Sequence, residues 1–224
     1  MNIKESLLLY AVTDRRWLKE DKSLSDVIKQ AVEGGATMIQ LREKELDKEQ
    51  TIEEALDIKS YLNAKNIPLI IDNDIEITKK VGADGVHVGQ DDCPVSEARK
   101  LLGKDFIIGA TAHNVTEAVK AEKDGADYLG VGAAFGSSTK ADAKAIVSLD
   151  EYKKITEAVS IPVVAIGGID ETNILQLKGL GLSGFAVVSS IFARDDVKAA
   201  AEQMKKLALH ARGTICCPPI TDLK

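Results

Sequence analysis

The sequence predicts a single (β/α)₈ barrel, or TIM barrel, on three observations. Short runs of β-branched and aliphatic residues alternate eight times with stretches of helical periodicity. No Gly-x-Gly-x-x-Gly turn follows the first run, as it would in an open dinucleotide-binding sheet. The chain has 224 residues, 45% of them hydrophobic, which suits one domain with a buried core. We assign residues 1–212 to the barrel and residues 213–224 to a C-terminal tail that is expected to be disordered.

Eight apolar runs are predicted to form the strands of this barrel. They are nearly continuous in apolar residues, which is typical of parallel strands that helices cover on the outer side. In chain order the predicted strands are Leu7–Thr13, Met38–Arg42, Pro68–Asp72, Gly85–Gly89, Phe106–Thr111, Tyr128–Gly132, Pro162–Gly167 and Gly184–Ser189.

The segments between the strands have the spacing of amphipathic helices, for example Ser25–Glu33 and Ser96–Leu102. The second of these helices is expected to begin beyond Pro94, and either Asn114 or Thr116 is expected to cap the helix after the fifth strand. Three Gly-Ala pairs each precede the next strand, where glycine can adopt the positive φ that ends a helix. Their glycines are Gly35, Gly82 and Gly125.

The composition argues against several classes of protein. The formal net charge is −6, whereas binding to a nucleic-acid backbone depends on clustered Lys and Arg. No stretch approaches the roughly 18 apolar residues that span a bilayer, and no signal peptide is evident. The cysteines Cys93, Cys216 and Cys217 have no spacing with a histidine that predicts a zinc site. We therefore expect a cytoplasmic protein without a nucleic-acid or membrane partner, and whether it forms a homo-oligomer stays open.

Polar side chains follow the second predicted strand. Gln40, Arg42 and Lys44 are spaced by two residues, so a strand sends them to the same side. Two cations and an amide donor suit a pyrophosphate, because Arg offers a planar fork of donors and Lys a point charge. The alternative is a solvated strand end in which Lys44 pairs with Glu43 or Glu45.

Acidic residues follow the third and fourth predicted strands, as Asp72-Asn73-Asp74 and as Asp91-Asp92. Carboxylates at neighbouring strand ends repel one another unless a cation lies between them. Mg²⁺ is usually held by one or two carboxylates together with waters and substrate phosphates. This end of the barrel therefore suits a magnesium site. The alternative is that Asp74, and Asp91 or Asp92, begin the following helices, and both arrangements can hold together.

Three later loops have the composition of phosphate-binding loops. The loop over residues 130–140 is rich in glycine and hydroxyl groups and ends in Lys140, although a surface loop is the alternative for it alone. Gly167-Gly168 follows the seventh strand and Val188-Ser189 ends the eighth. Barrels often bind phosphate between these two loops, so position and composition together favour phosphate binding there.

Together these segments resemble thiamine phosphate synthases over nearly the whole chain, from Tyr10 to Ile191. The most specific signals are the segments 40–44, 85–92, 137–140, 166–169 and 188–189. The resemblance implies a transferase of thiamine biosynthesis. Such an enzyme joins hydroxymethylpyrimidine pyrophosphate to a thiazole phosphate, uses Mg²⁺ as cofactor, and releases thiamine phosphate and pyrophosphate.

The resemblance also implies roles for residues at matching positions. Gln40, Arg42 and Lys44 would contact the pyrimidine pyrophosphate, and Lys140 would complete a cationic clamp in which Arg42, Lys44 and Lys140 are the catalytic residues. The metal ligands would be Asn73 and Asp92. The remaining residues expected to contact the substrates are Asp72, Thr111 beside the pyrimidine, Ser137 and Thr139 near the thiazole phosphate, and Gly168, Val188 and Ser189 as its phosphate cradle.

Two departures from the family pattern are evident. The family commonly has Asn followed by Asp on the third strand, whereas this chain has Asp72 followed by Asn73. The metal ligand there is therefore the amide oxygen of Asn73, or else Asp72 or Asp74 after a shift of the loop. The second departure is Ala133–Gly136, where the family tends to carry two prolines, and we expect this lid to be more mobile.

Two other functions are compatible with the same barrel. A thiazole tautomerase is an isomerase that needs neither a pyrophosphate clamp nor magnesium. The residues that weigh against it are Gln40, Arg42, Lys44, Lys140 and Asp92. A phosphate-binding barrel without catalytic activity, with a regulatory role, is the other alternative, since fold alone does not define function.

Overall fold

The computed structural model describes residues 2–18, 22–136 and 146–213. In these ranges eight parallel strands form a closed barrel in which each strand pairs with the next in sequence and the first pairs with the last. The predicted (β/α)₈ barrel is confirmed. In chain order the strands are β1 (Leu9–Val12), β2 (Met38–Leu41), β3 (Leu69–Asp72), β4 (Gly85–Val88), β5 (Ile107–Ala112), β6 (Tyr128–Val131), β7 (Val163–Ile166) and β8 (Gly184–Val187).

The helices cover the outer face of the barrel, except for a short one that precedes β1. Two 3-10 helices, Arg15–Trp17 and Ile174–Leu177, follow β1 and β7, and the second takes the place of an α-helix between β7 and β8. The α-helices are α1 (Ile3–Ser6), α2 (Leu24–Glu33), α3 (Lys48–Lys65), α4 (Ile75–Val81), α5 (Val95–Leu102), α6 (Val115–Lys123), α7 (Leu149–Ala158), α8 (Ser189–Phe192) and α9 (Val197–Arg212).

The helix ends follow the signals in the sequence. The side chain of Asn114 accepts a hydrogen bond from the backbone N–H of Glu117, so Asn114 is the cap of α6 and Thr116 lies inside that helix. Helix α5 begins directly after Pro94. All three predicted glycines have positive φ, at 105° for Gly35, 63° for Gly82 and 99° for Gly125.

The C-terminal helix, α9, packs against α2, the 3-10 helix Ile174–Leu177 and α8. It ends at Arg212, after which Gly213 adopts the left-handed conformation. The rest of the predicted tail, including Cys216 and Cys217, lies outside the described residues. Within the described ranges, no helix is both long and apolar enough to cross a bilayer.

Two apolar layers hold the barrel together. The outer layer lies between the sheet and the helices, and the inner layer fills the barrel itself. The inner layer contains two buried tyrosines, Tyr10 and Tyr128, whose rings meet edge to face at 5.9 Å. Ile3 of α1 packs against this inner layer, so the short first helix helps to close one end of the barrel.

Gly184 stands where β8 meets β1, and the backbones approach too closely there for any side chain. A Cβ atom at this position would overlap the carbonyl group of Leu7. We expect Gly184→Ala to lower the free energy of unfolding by about 3 kcal/mol, because a backbone group cannot rotate away as a side chain can. Urea unfolding monitored by circular dichroism measures this change.

Gly136→Ala is the matched control, since a Cβ atom there would meet no atom of the described residues within 4 Å. It should change the free energy of unfolding by no more than about 0.5 kcal/mol. Equal stability of the two variants would contradict the argument from close approach.

Candidate active site

The structure brings Arg42 and Lys44 to one carboxylate at the mouth of the barrel. The Nζ atom of Lys44 lies 3.1 Å, and the Nε atom of Arg42 lies 3.8 Å, from Oδ2 of Asp72 at the end of β3. The ion pair of Lys44 is therefore with Asp72, and not with Glu43 or Glu45. The Asp72 side chain is only 16% exposed. Two cations thus converge on the Asp72 carboxylate in a partly buried site. An anionic ligand can bind to the same two cations in place of this carboxylate.

The loop that carries Lys44 is organised by the carboxylate of Glu43. One oxygen of Glu43 accepts hydrogen bonds from the next three backbone N–H groups, and the other accepts one from Nε of Arg15 at 2.7 Å. The Glu43 side chain is 2% exposed. Burial tends to raise the pKa of Glu43, but the hydrogen bonds from the backbone and Arg15 outweigh burial and lower this pKa below its usual value.

We expect Glu43→Gln to lower the free energy of unfolding by about 2 kcal/mol at pH 7, because the variant loses the negative charge and its amide nitrogen cannot accept the hydrogen bond from Arg15. Since the pKa of Glu43 is lowered in the folded state, its contribution is complete above the ordinary pKa of glutamate. It is lost as the pH falls through the lowered value, so the difference between the two proteins should shrink below about pH 4. Urea unfolding of the original protein and of Glu43→Gln at these two pH values measures the difference in the free energy of unfolding.

Glu45→Gln serves as the control for this prediction, because Glu45 is exposed and lies in the same loop. It should leave the free energy of unfolding within about 0.5 kcal/mol of the original. A loss as large as that of Glu43→Gln would show that the loop, rather than the buried carboxylate, is responsible.

Thr13 and Asp14 support Arg42 from the end of β1. The hydroxyl of Thr13 accepts a hydrogen bond from the backbone N–H of Arg42 at 2.9 Å, and Asp14 Oδ2 lies 3.6 Å from Nη1 of Arg42. Burial tends to raise the pKa of Asp14, but the hydrogen bonds from Arg16 outweigh it and lower this pKa. Sequence reasoning missed both residues, although two polar residues directly after a buried strand were a usable signal.

The two predicted metal-binding residues are neighbours in the structure. Asn73 has a left-handed backbone, with φ of 59°, and its Nδ2 atom donates to Oδ1 of Asp92 at 2.9 Å. The other oxygen of Asp92 accepts from the backbone N–H of Gly89 at 2.7 Å. This pair lies beside Asp72, on the strand ends next to the two cations.

The neighbouring acids have other partners. Asp74 caps α4 by accepting from the backbone N–H of Ile77, as the capping alternative predicted. Helix α5 has Pro94 at its cap position without a side-chain hydrogen bond. The alternative in which Asp91 or Asp92 caps this helix is therefore wrong. Among the described residues no group of three or more His, Cys, Asp and Glu side chains is arranged to hold a metal.

A continuous chain of hydrogen bonds crosses the interior of the barrel below the mouth. Nε2 of Gln40 donates to the hydroxyl of Tyr10 at 2.7 Å, and this hydroxyl lies 2.8 Å from that of Tyr128. The ring of His87 continues the chain, with Nδ1 at 3.0 Å from the Tyr128 hydroxyl and Nε2 at 3.0 Å from Oγ1 of Thr111. Two predicted substrate contacts, Gln40 and Thr111, are thus linked through three residues to which sequence reasoning assigned no role.

The predicted phosphate cradle lies on the opposite side of the mouth. Gly168 has φ of 66°, and a Cβ atom there would collide with the carbonyl oxygen of Gly136, so only glycine fits. Ser189 begins helix α8 directly after Val188. The hydroxyl of Ser190, the next residue, is buried and has no hydrogen-bond partner among the described residues. Sequence reasoning missed it.

An open cleft of about 290 Å³ adjoins the start of α8. Six residues line this cleft: Trp17, Asp170, Ser189, Ser190, Ala193 and Arg194. Ser190 therefore borders a space that is large enough for a small anionic group.

Ser137, Thr139 and Lys140 lie outside the described residues, so their predicted roles stay predictions. The segment before them is joined to the end of β7: the backbone N–H of Ala134 donates to Ile166, and that of Phe135 donates to Gly167, both at 2.9 Å. The chain after them returns to the same place, because Val147 donates to the carbonyl of Ala133 at 2.8 Å. Both ends of this loop are thus anchored at the mouth, between β6 and β7.

Comparison with known proteins gives a consistent result. Residues 9–191 match the sequence profile of a family described as thiamine monophosphate synthase. A thiamine-phosphate synthase of Ruminiclostridium cellulolyticum is 47% identical over 210 residues, covering 94% of this chain and 99% of that protein. A thiamine-phosphate synthase of Clostridium acetobutylicum is 49% identical over 196 residues, covering 88% and 92% of the two chains.

A solved structure shows the same arrangement of the chain. The thiamine phosphate pyrophosphorylase of Pyrococcus furiosus superposes with a TM-score of 0.85 at 34% sequence identity. The superposition covers 94% of this chain and 99% of that one. The likeness therefore extends over the whole barrel, including the strand ends at which the site lies.

Proposed function

Because the chain belongs to the thiamine monophosphate synthase family, we propose that it joins hydroxymethylpyrimidine pyrophosphate to a thiazole phosphate. The products are thiamine phosphate and pyrophosphate, and the enzyme is a transferase of thiamine biosynthesis. The observation that carries this proposal is the convergence of Arg42 and Lys44 on Asp72, beside the pair of Asn73 and Asp92. This arrangement suits a pyrophosphate leaving group.

The reaction is a substitution at the methylene carbon of the pyrimidine. The lone pair of the thiazole nitrogen forms the new C–N bond, the C–O bond to pyrophosphate breaks, and its electron pair leaves with the pyrophosphate oxygen. This nitrogen carries no proton that a base must remove. The protein must therefore stabilise the negative charge that develops on the leaving group, and fixed cations in a partly buried site do so effectively.

Arg42 and Lys44 supply this charge, and Lys140 completes the clamp in the proposal. Asp72 forms ion pairs with both Arg42 and Lys44, which keeps these two cations adjacent and oriented. An incoming pyrophosphate competes with the Asp72 carboxylate for Arg42 and Lys44. It carries more negative charge than one carboxylate and therefore attracts the two cations more strongly.

The donor set of Asn73 and Asp92 fits Mg²⁺. Magnesium requires only one or two protein oxygens when waters and substrate phosphates supply the remainder, so a larger acidic cluster is unnecessary. The side chains of Asn73 and Asp92 are in contact through the amide nitrogen of Asn73, and a turn of this amide would present its oxygen to a cation beside Asp92. When bound, the ion neutralises charge on the pyrophosphate.

The second substrate is placed at the cradle formed by Gly168, Val188 and Ser189, with Ser137 and Thr139 near its phosphate. The buried hydroxyl of Ser190, which has no hydrogen-bond partner in the described part of the chain, supports this placement, since a buried donor without a partner is costly unless a ligand satisfies it. Thr111 is placed beside the pyrimidine. Holding both substrates over one barrel mouth removes much of the entropic cost of their encounter.

A turnover assay with both thiamine precursors and with or without Mg²⁺ tests the function. We expect thiamine phosphate and pyrophosphate in equal amounts, only when both substrates and Mg²⁺ are present. Consumption of a thiazole precursor alone would indicate a tautomerase, and consumption of neither would indicate a non-catalytic barrel. A cytoplasmic location is proposed with the same function.

A further inference from the structure

The hydrogen-bonded chain through the barrel interior joins Thr111, which the proposed function places beside the pyrimidine, to Gln40, which is predicted to contact the pyrimidine pyrophosphate. The three residues between them, Tyr10, Tyr128 and His87, have no part in the charge stabilisation described above. We propose that these three are positioning residues, which fix the hydrogen-bond donor and acceptor pattern that Gln40 and Thr111 offer to the pyrimidine ring. This inference rests on the proposed function for the identity of the ligand.

Stability alone does not account for this chain. Tyr10 is 1% exposed, and Tyr128 is fully buried. Replacing both partners of a buried hydrogen bond by apolar groups of the same shape can be nearly neutral for stability. A barrel interior filled with phenylalanine would therefore serve as well, and the hydroxyl groups call for another explanation.

The direction in which protons are donated along this hydrogen-bonded chain follows from counting the protons that each group carries. Gln40 donates through Nε2 to the oxygen of Tyr10, so the single hydroxyl proton of Tyr10 is directed to its other neighbour, Tyr128. Tyr128, which accepts from Tyr10, donates in turn to Nδ1 of His87. In the neutral imidazole this nitrogen carries no proton, so the single ring proton is on Nε2 and is donated to Oγ1 of Thr111.

The two tyrosine hydroxyls keep their protons. Burial raises the pKa of Tyr10 and that of Tyr128 well above the usual value for tyrosine. Each hydroxyl therefore has one proton to give over the pH range in which the barrel is folded. The direction of proton donation at Gln40 consequently determines the direction of donation at Thr111, four hydrogen bonds away.

This direction determines what the ligand meets. Gln40 has its nitrogen engaged with Tyr10 and keeps its amide oxygen, an acceptor, for the ligand. Thr111 accepts from His87 and keeps its hydroxyl proton, a donor. A 4-aminopyrimidine offers a matching amino donor and ring-nitrogen acceptor, whereas a 4-oxo-pyrimidine reverses both groups. The hydrogen-bonded chain therefore selects the amino form of the pyrimidine, and the opposite orientation of the Gln40 amide would select the oxo form.

The first test does not depend on turnover. In the full chain labelled with ¹⁵N-histidine, the ring nitrogens of His87 can be assigned by comparison with His87→Asn, since the chain has only three histidines. We expect Nε2 to be protonated and Nδ1 unprotonated in the ligand-free protein. Protonation on Nδ1 would overturn the proposed direction, whether or not the protein makes thiamine phosphate.

The second test measures selectivity through the ratio of two constants: the inhibition constant of the 4-oxo analogue of the pyrimidine pyrophosphate, and the KM of the 4-amino substrate. Tyr128→Phe is expected to lower this ratio at least about tenfold, because the chain is interrupted at its centre. The KM for the thiazole phosphate should stay within about twofold, as that substrate binds elsewhere. An unchanged ratio would contradict the proposal.

Tyr152→Phe is the matched control. Tyr152 is also fully buried, but its hydroxyl donates to the backbone carbonyl of Val131 and takes no part in the chain. This variant should keep the original selectivity. If Tyr128→Phe does not fold, the double variant Tyr10→Phe/Tyr128→Phe, which leaves neither tyrosine hydroxyl unpaired, replaces it with the same expected loss. Absence of turnover in the unmodified protein would instead count against the proposed function.

Discussion

Replacing Lys44 by alanine is expected to lower kcat/KM for the pyrimidine pyrophosphate about a hundredfold or more, which corresponds to roughly 3 kcal/mol of transition-state stabilisation. The ammonium group of Lys44 lies 3.1 Å from Asp72, at the place that the leaving group takes in the proposed reaction. Its charge is most valuable when the C–O bond breaks, so kcat should fall more than KM rises. Steady-state kinetics with a coupled pyrophosphate assay separates the two constants.

Lys48→Ala is a close control for this variant. The side chains of Lys44 and Lys48 are 47% and 48% exposed, and both form ion pairs with acids of the following β/α unit. Lys48, however, pairs with Asp74 and Glu76 at the start of α4. The Lys48→Ala variant should retain kcat/KM within about twofold, because exposed ion pairs contribute little to stability. Equal losses in both variants would mean that general surface charge, rather than the position at Asp72, governs activity.

Replacing Asp92 by asparagine is expected to lower turnover roughly a hundredfold at a Mg²⁺ concentration that saturates the unmodified enzyme. The substitution keeps an oxygen that can accept from Gly89 and removes the negative charge from the proposed magnesium site. We also expect the Mg²⁺ concentration for half-maximal activity to rise at least about tenfold. A magnesium titration of initial rates measures both changes.

Asp91→Asn controls for the loss of one negative charge in the same loop, since Asp91 is exposed whereas Asp92 is partly buried. Its magnesium dependence should match that of the unmodified enzyme. A normal magnesium dependence of Asp92→Asn would remove Asp92 from the metal site, even if its turnover were low.

The strands could be predicted from the sequence because each one is a local signal. A run such as Pro68–Asp72 is apolar over its length and ends in polar residues, which indicates both the strand and the barrel mouth. The convergence of Arg42 and Lys44 at the mouth was predicted, although β2 ends at Leu41, so that the loop held by Glu43, rather than the period of a strand, places Lys44 there. Their common partner on the neighbouring strand, Asp72, was not, because period two describes only one strand.

Contacts across the barrel could not be read from the sequence. Tyr10 and Tyr128 are 118 residues apart, and each looks like an ordinary aromatic residue within an apolar strand. Their pairing depends on how the closed barrel turns each strand, which no local pattern describes. The same holds for Arg15 and Glu43, which lie in different β/α units and yet form an ion pair.

The contact between β1 and β8, tightened by the absence of a side chain at Gly184, has a consequence for biosynthesis. The hydrogen-bonding edge of the first strand has its final partner only after the eighth strand has left the ribosome. Until then the nascent chain exposes two open sheet edges, which are templates for aggregation. Chaperone dependence during translation should therefore depend on how quickly the C-terminal quarter of the chain is made.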